Sequence, residues 1–85
     1  MDTYKVSGNI VDKQVMDELI LLDLETGDYH ALNETAAFIW KNARNEVSTA
    51  EIAQNIQKEF NIELAEAQSD VKDVFDQLKG LGFIE

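Results

Sequence analysis

The chain contains no cysteine and no proline, and only one histidine and four glycines among its 85 residues. The lack of cysteine excludes disulfides, thiolate metal sites and thiol catalysis, and it is typical of the reducing cytoplasm. No apolar run approaches the ~20 residues that a membrane-spanning helix needs. The first 20 residues also lack the basic start and apolar stretch of a signal peptide. We therefore expect a cytoplasmic protein held together by its core alone.

Basic residues are also few. Seven lysines and arginines stand against 17 acidic residues, which gives a formal net charge of −10 at pH 7. Such a chain repels nucleic acid and anionic membranes and favours basic partners. Its length predicts a single domain over residues 1–85. A core of that size leaves little room for a pocket of the usual ~300–1,000 Å³, so the composition favours a binding module over an enzyme.

Catalytic and metal-binding patterns are missing from the sequence. His30 has no cysteine or second histidine with which to build a usual zinc site. None of the three serines lies in a Gly-x-Ser-x-Gly elbow, and no acidic calcium loop with its glycine occurs. We therefore expect no catalytic residue, no metal and no cofactor.

The N-terminal third of the chain predicts short β-strands. Leu19–Leu24 is the clearest, and the turn at 25–28 offers Gly27 for a positive φ before the chain returns at Tyr29–Leu32. These two strands should form a hairpin. In the second of them, alternation places His30 and Leu32 on one face and Tyr29 and Ala31 on the other. Further β-prone segments precede the hairpin at 4–6 and 9–15.

The remainder of the chain predicts three helices. Asn33 can cap the first, and Ser48 begins a capping box for the second. The third runs over about 65–79 and ends near Gly80 and Gly82. Apolar residues at helical spacing define the buried faces. They are Ala36, Ile39, Trp40 and Ala43, then Ile52, Ala53, Ile56 and Phe60, then Ala67, Val71, Val74, Phe75 and Leu78.

The predicted fold class is α+β. About three N-terminal antiparallel strands precede three helices in a winged helix-turn-helix-like arrangement. One alternative for such a shape is a DNA-binding transcription regulator, whose recognition helix must bring basic residues to phosphates. Here the third helix has two lysines, and it should carry its acids along one side: Glu63, Glu66, Asp70, Asp73 and Asp76. DNA would be repelled, and a protein-binding adaptor subunit stays as a second alternative.

Two stretches carry a resemblance to a known family. The segments "LLDLETGDYHALNETAAFIW" and "VSTAEIAQNIQKEFNIELAEAQSDVKDVFDQLKGLGFIE" resemble the PqqD-like domains, also called RiPP recognition elements. The matching positions are Gly27, Leu32-Asn33, Thr35-Ala36-Ala37, Ile39-Trp40, Glu51-Ile52-Ala53, Asp70-Val71, Leu78 and Gly82. The chain departs from the pattern at Glu34, where many members have proline, and at 45–47, where many have Asp-Gly.

The resemblance implies non-catalytic binding of the leader segment of a ribosomally synthesised precursor peptide, as in lasso-peptide clusters. The leader would add as a strand to the hairpin edge, lie against the third helix and be presented to a modifying enzyme or leader peptidase. We expect neither nucleic acid nor membrane as a partner. The predicted peptide-binding residues are Tyr29, His30, Ala31, Leu32, Asp70, Val71, Asp73, Val74, Phe75 and Leu78. The pattern leaves open which apolar residues of that helix are groove and which are core.

Overall fold

Three strands precede three helices in the computed structural model, which describes residues 4–85. The elements are β1 (Ile10–Val15), β2 (Glu18–Asp23), β3 (Tyr29–Leu32), α1 (Glu34–Arg44), α2 (Thr49–Phe60) and α3 (Leu64–Gly80). The strands pair antiparallel in the order β1-β2-β3. The predicted α+β class, the hairpin and the order of elements are confirmed.

The turn between β2 and β3 follows from its side chains. The Asp23 carboxylate accepts hydrogen bonds from the backbone N–H groups of Glu25 and Thr26, at 2.8 and 3.3 Å. Gly27 then adopts a φ of +81°, which a residue with a Cβ atom rarely tolerates. This turn sets the register of the hairpin, in which Leu22 lies opposite Tyr29 and Leu19 opposite Leu32.

Side-chain caps set the start of the first two helices. Asn33 accepts a hydrogen bond from the Ala36 N–H at 2.9 Å, and Ser48 accepts one from the Glu51 N–H at 3.2 Å. These bonds confirm both predicted caps. The third helix begins at Leu64 without a side-chain cap. It therefore depends more on its packing against α2.

A single core lies between the sheet and the helices. α1 packs against β2 and β3, and the α2–α3 pair packs against α1. The predicted helix stripes are buried, except that Phe60 and Val74 are half-buried at the margin. The sheet contributes one face only, through Ile10, Leu19, Leu21 and Leu32. Within residues 4–85, no helix packs over the opposite face of the sheet.

The β-prone segment at 4–6 is not part of the three-stranded sheet, whose first strand begins at Ile10. It pairs instead with the last residues of the chain, through a bridge between Val6 and Ile84 and reciprocal bonds between Lys5 and Glu85 of 3.2 and 2.7 Å. Gly82, with a φ of +84°, turns the chain so that Phe83 and Ile84 return to the core, as predicted. These contacts hold residues 5–7 against the segment 83–85 that follows α3.

Replacing Trp40 with phenylalanine should lower the free energy of unfolding by about 1–3 kcal/mol. Trp40 is 0% exposed, and its indole Nε1 donates to Asp12 Oδ2 at 2.9 Å. Phenylalanine loses both the ring volume and this bond. Urea unfolding measures the change, and Asp12→Asn is the control because it keeps an acceptor for the indole. Equal effects of the two substitutions would contradict a tightly packed indole.

Alkaline pH should destabilise the fold through Tyr4. Burial, and secondarily the charge of Glu46, raise the pKa of the Tyr4 hydroxyl, which donates to the Val47 carbonyl. In the unfolded chain tyrosine ionises near pH 10. The stabilising contribution is therefore complete below about pH 10 and is lost as the pH rises above it. Unfolding midpoints measured from about pH 8 to 11 should fall more steeply for the natural chain than for Tyr4→Phe. Parallel curves would contradict this.

Candidate functional site

The free edge of β3 presents unpaired backbone groups. The Asp23 N–H donates to the Asp28 carbonyl and the Asp23 carbonyl accepts from the Gly27 N–H, both at 2.8 Å, so the backbone groups of Asp23 point toward the β3 side. Antiparallel pairs alternate between bonded and non-bonded, which turns the N–H and C=O groups of His30 and Leu32 toward β2. The corresponding groups of Tyr29 and Ala31 therefore point outward. In the part of the chain that the structure describes, no strand pairs with them.

The side chains of β3 alternate as the sequence predicts. Leu32 is buried and His30 half-buried on the helix side of the sheet. Tyr29, at 75% exposed, and Ala31 lie on the other side. The strand contains neither proline nor lysine, two residues that commonly obstruct pairing at sheet edges. This edge can accept a further strand.

Helix α3 runs beside the free edge without packing directly on it. Every Cα atom of β3 lies more than 8 Å from every Cα atom of α3. The gap is bridged by side chains, with His30 Nε2 and Gln77 Nε2 3.0 Å apart. We call the space between these two elements the β3–α3 cleft. An added strand lies about 4.8 Å from its neighbour, so a guest on β3 would enter this cleft.

Helical spacing identifies the residues of α3 that face the cleft. Asp70 and Val74 lie seven and three residues before Gln77, so all three share the side of the helix that meets His30. Asp70 and Val74 are half-buried, and Asp73 is exposed at the neighbouring position. The cleft wall is therefore one apolar side chain bordered by carboxylates and an amide.

Asp76 is exposed and lies about 100° around α3 from Gln77, against about 20° for Asp70 and about 40° for Asp73, so of these three carboxylates it is the farthest from the side that meets His30. It pairs with Lys72 at 2.8 Å and borders a cavity of about 460 Å³ between α2 and α3. The hydrogen bond from Lys72, followed by its charge, lowers the pKa of the Asp76 carboxyl, and the same contacts raise the pKa of Lys72.

Three of the predicted α3 residues belong to the core of the free chain. Val71, Phe75 and Leu78 are at most 5% exposed. Phe75 packs edge-on against Tyr4, with 5.0 Å between ring centroids. Of the four apolar residues predicted on α3, Val74 is thus the one that presents an apolar surface beside β3. Gln77 was missed by the sequence prediction, although its spacing from Asp70 and Val74 could have identified it.

The arrangement suits the binding of an extended peptide. Over residues 4–85, no group of three or more His, Cys, Asp or Glu side chains is placed to hold a metal ion. Within that same range, no helix is both long and apolar enough to span a membrane. The cleft combines outward main-chain groups, an apolar side chain and carboxylates. These are the elements by which sheet edges recognise extended peptides.

A family model decides the classification of the chain. The model described as coenzyme PQQ synthesis protein D (PqqD) matches residues 18–84. The chain belongs to the PqqD family. The match spans β2, β3 and all three helices, and it therefore includes both walls of the cleft. No curated protein matches this PqqD-family chain significantly.

Two solved structures are similar to the PqqD-family chain over nearly its whole length. One is TbiB1 in complex with the TbiA(beta) leader peptide, at 27% identity and a TM-score of 0.88, covering 95% of this chain and 94% of that one. The other is lasso peptide synthetase B1 complexed with the leader peptide, at 29% identity and a TM-score of 0.87, covering 96% of each chain. Both relatives are proteins that bind a leader peptide.

Proposed function

We propose that this PqqD-family chain binds the leader segment of a ribosomally synthesised precursor peptide and presents it to a modifying or leader-processing enzyme. The leader adds as a fourth strand on β3 and occupies the β3–α3 cleft. The observation that carries the proposal is the open β3 edge beside α3, in a chain similar to two leader-peptide complexes.

Main-chain bonds supply affinity that depends little on the leader sequence. The outward groups of Tyr29 and Ala31 can each donate one hydrogen bond and accept another. Each such bond contributes about 0.5–1.5 kcal/mol net. Alternate side chains of the leader would then point to the helix side, where His30 and Val74 are half-buried and leave room for contact. These side-chain contacts would select between leader sequences.

Charge adds a preference for basic leaders. Asp70 and Asp73 lie at the rim of the cleft, and the whole chain carries a net charge of −10. Such a field accelerates the encounter with a cationic peptide and disfavours acidic ones. The buried residues Val71, Phe75 and Leu78 contribute indirectly, because their packing in the core fixes the position of α3 beside the cleft.

The chain contributes proximity and catalyses no step itself. Holding the leader keeps the core of the precursor near the enzyme. The reaction between enzyme and precursor then proceeds within one complex and does not need a separate encounter. The binding unit is the single domain of residues 1–85. Its place of action is the cytoplasm, where ribosomes release the precursor.

The acidic α3 also argues against the DNA-binding alternative. Four carboxylates lie within Leu64–Gly80, against two lysines. One of these lysines, Lys72, already pairs with Asp76. A helix of that charge would meet the phosphate backbone with net repulsion.

Titration of a fluorescent leader peptide from the same gene cluster tests the proposal. We expect saturable binding with a Kd below roughly 100 µM, or about −5.5 kcal/mol. A leader of scrambled sequence is the control and should bind at least tenfold more weakly. Failure of every leader from that cluster to bind in this range would exclude the function.

A further inference from the structure

One face of the sheet carries an apolar surface that no helix of the described residues, 4–85, covers. Alternation along the strands places on it the residues that we call the open sheet face: Val11, Lys13, Val15, Glu18, Ile20, Leu22, Tyr29 and Ala31. Val11 and Val15 are 42% and 44% exposed, and Tyr29 is 75% exposed. Large apolar side chains that are this exposed and this close together are typical of interaction sites.

The strand register makes the surface continuous. Val11 lies opposite Leu22, and Leu22 lies opposite Tyr29, which forms one row across all three strands. Ile20, in the next row, lies between Lys13 and Ala31. Ile20 and Leu22 are half-buried, and their neighbours in these rows flank them. The face is thus a single patch with apolar side chains at its centre.

We propose that the open sheet face is the docking surface for the enzyme that acts on the bound peptide. The docking partner presents an apolar centre surrounded by lysine or arginine. This inference rests on the proposed function for the identity of the partner. It goes beyond that function because it places the enzyme on a face of the sheet that is separate from the β3–α3 cleft.

Charge at the margins of the face specifies the partner. Asp17 and Glu18 lie at one end of the strands, and Glu25 and Asp28 lie at the other. Lys13 is the one basic residue on the face itself. A second copy of this chain, turned either way round, would bring carboxylates against carboxylates. A partner with basic margins meets both ends favourably.

The position of Tyr29 and Ala31 links the face to the peptide. Their side chains lie on the open sheet face, and their outward backbone groups form the edge at which the leader adds. A guest strand on β3 would extend each row by one residue. The enzyme would therefore contact both the chain and the leader, and it should bind the loaded form more tightly than the empty one. By linkage, the enzyme would tighten leader binding by the same factor.

The test is a binding titration of the purified enzyme encoded beside the precursor gene, with and without the leader peptide. The variant Val11→Lys/Val15→Lys changes two exposed residues on the strand farthest from β3. It should weaken enzyme binding at least tenfold and leave the leader Kd within about twofold. The control Gln54→Lys/Gln68→Lys adds the same charge on exposed helix positions and should leave the enzyme Kd within about twofold.

Three outcomes would overturn the docking proposal while leader binding stays intact. The first is unchanged enzyme affinity in the Val11→Lys/Val15→Lys variant, and the second is no enzyme binding by the natural chain. The third is that the natural chain is a dimer in sedimentation equilibrium and this variant is a monomer. The last would assign the face to a second copy. A natural chain that binds no leader would instead contradict the proposed function.

Discussion

Replacing Ala31 with proline should weaken leader binding at least tenfold, about 1.4 kcal/mol or more. The N–H of Ala31 points outward from β3, so proline removes a donor from the edge where the leader adds. The loss of one strand bond accounts for about 0.5–1.5 kcal/mol. The ring also occupies space on the side of the guest. Because Ala31 makes no ladder bond to β2, the hairpin should persist. Fluorescent leader titration measures the effect.

Gln14→Pro is the matched control for this experiment. The Leu24 N–H donates to the Asn9 carbonyl at 2.9 Å, and the same alternation turns the N–H of Gln14 outward at the free edge of β1. Both variants thus lose an outward donor from an edge strand, one on each side of the sheet. Circular dichroism should show similar folds. If the two variants lose equal affinity, or if Ala31→Pro loses none while folded, pairing at β3 is wrong.

The double charge reversal Asp70→Lys/Asp73→Lys should weaken binding of a basic leader about tenfold at low salt. Both carboxylates lie on the cleft side of α3, and Asp70 is half-buried. Each reversal replaces an attraction with a repulsion worth roughly 0.5–1 kcal/mol at such a site. At 1 M salt the screening length falls to about 3 Å, and the difference from the natural chain should shrink to about twofold. Titrations at several ionic strengths measure this.

Asp76→Lys provides the contrast within the same helix. Asp76 is turned about 100° away from Gln77 and pairs with Lys72 beside the α2–α3 cavity, so its reversal changes net charge with little change to the cleft wall. We expect the leader Kd to change by less than about twofold. An effect of Asp76→Lys as large as that of the double reversal would mean that only overall charge matters. The wall of the cleft would then have no specific electrostatic role.

The sequence predicts most of the fold because its local signals agree with one another. Asn33 and Ser48 mark two helix starts, and Gly27 marks the hairpin turn, all at the positions that the structure shows. The segment at 4–6 is the exception. Its β-prone residues pair with the chain end through Val6 and Ile84, and a contact between residues so far apart leaves no local pattern.

The candidate site is less predictable because it depends on how two elements face each other. Alternation along β3 placed His30 on the helix side, as found. The flank of α3 that meets His30 is set by the packing of Val71 and Phe75 in the core, which three-residue spacing alone does not resolve. Hence Gln77, which contacts His30, was overlooked.

Amide hydrogen exchange by NMR, with and without leader peptide, tests the central claim most directly. If the leader pairs with β3, the N–H groups of Tyr29 and Ala31 should exchange at least tenfold more slowly in the complex. Those of Asp12 and Gln14, outward on β1, should keep the rates of the free chain. Slowing at Asp12 and Gln14 instead, or unchanged rates at Tyr29 and Ala31 under saturating leader, would contradict the account.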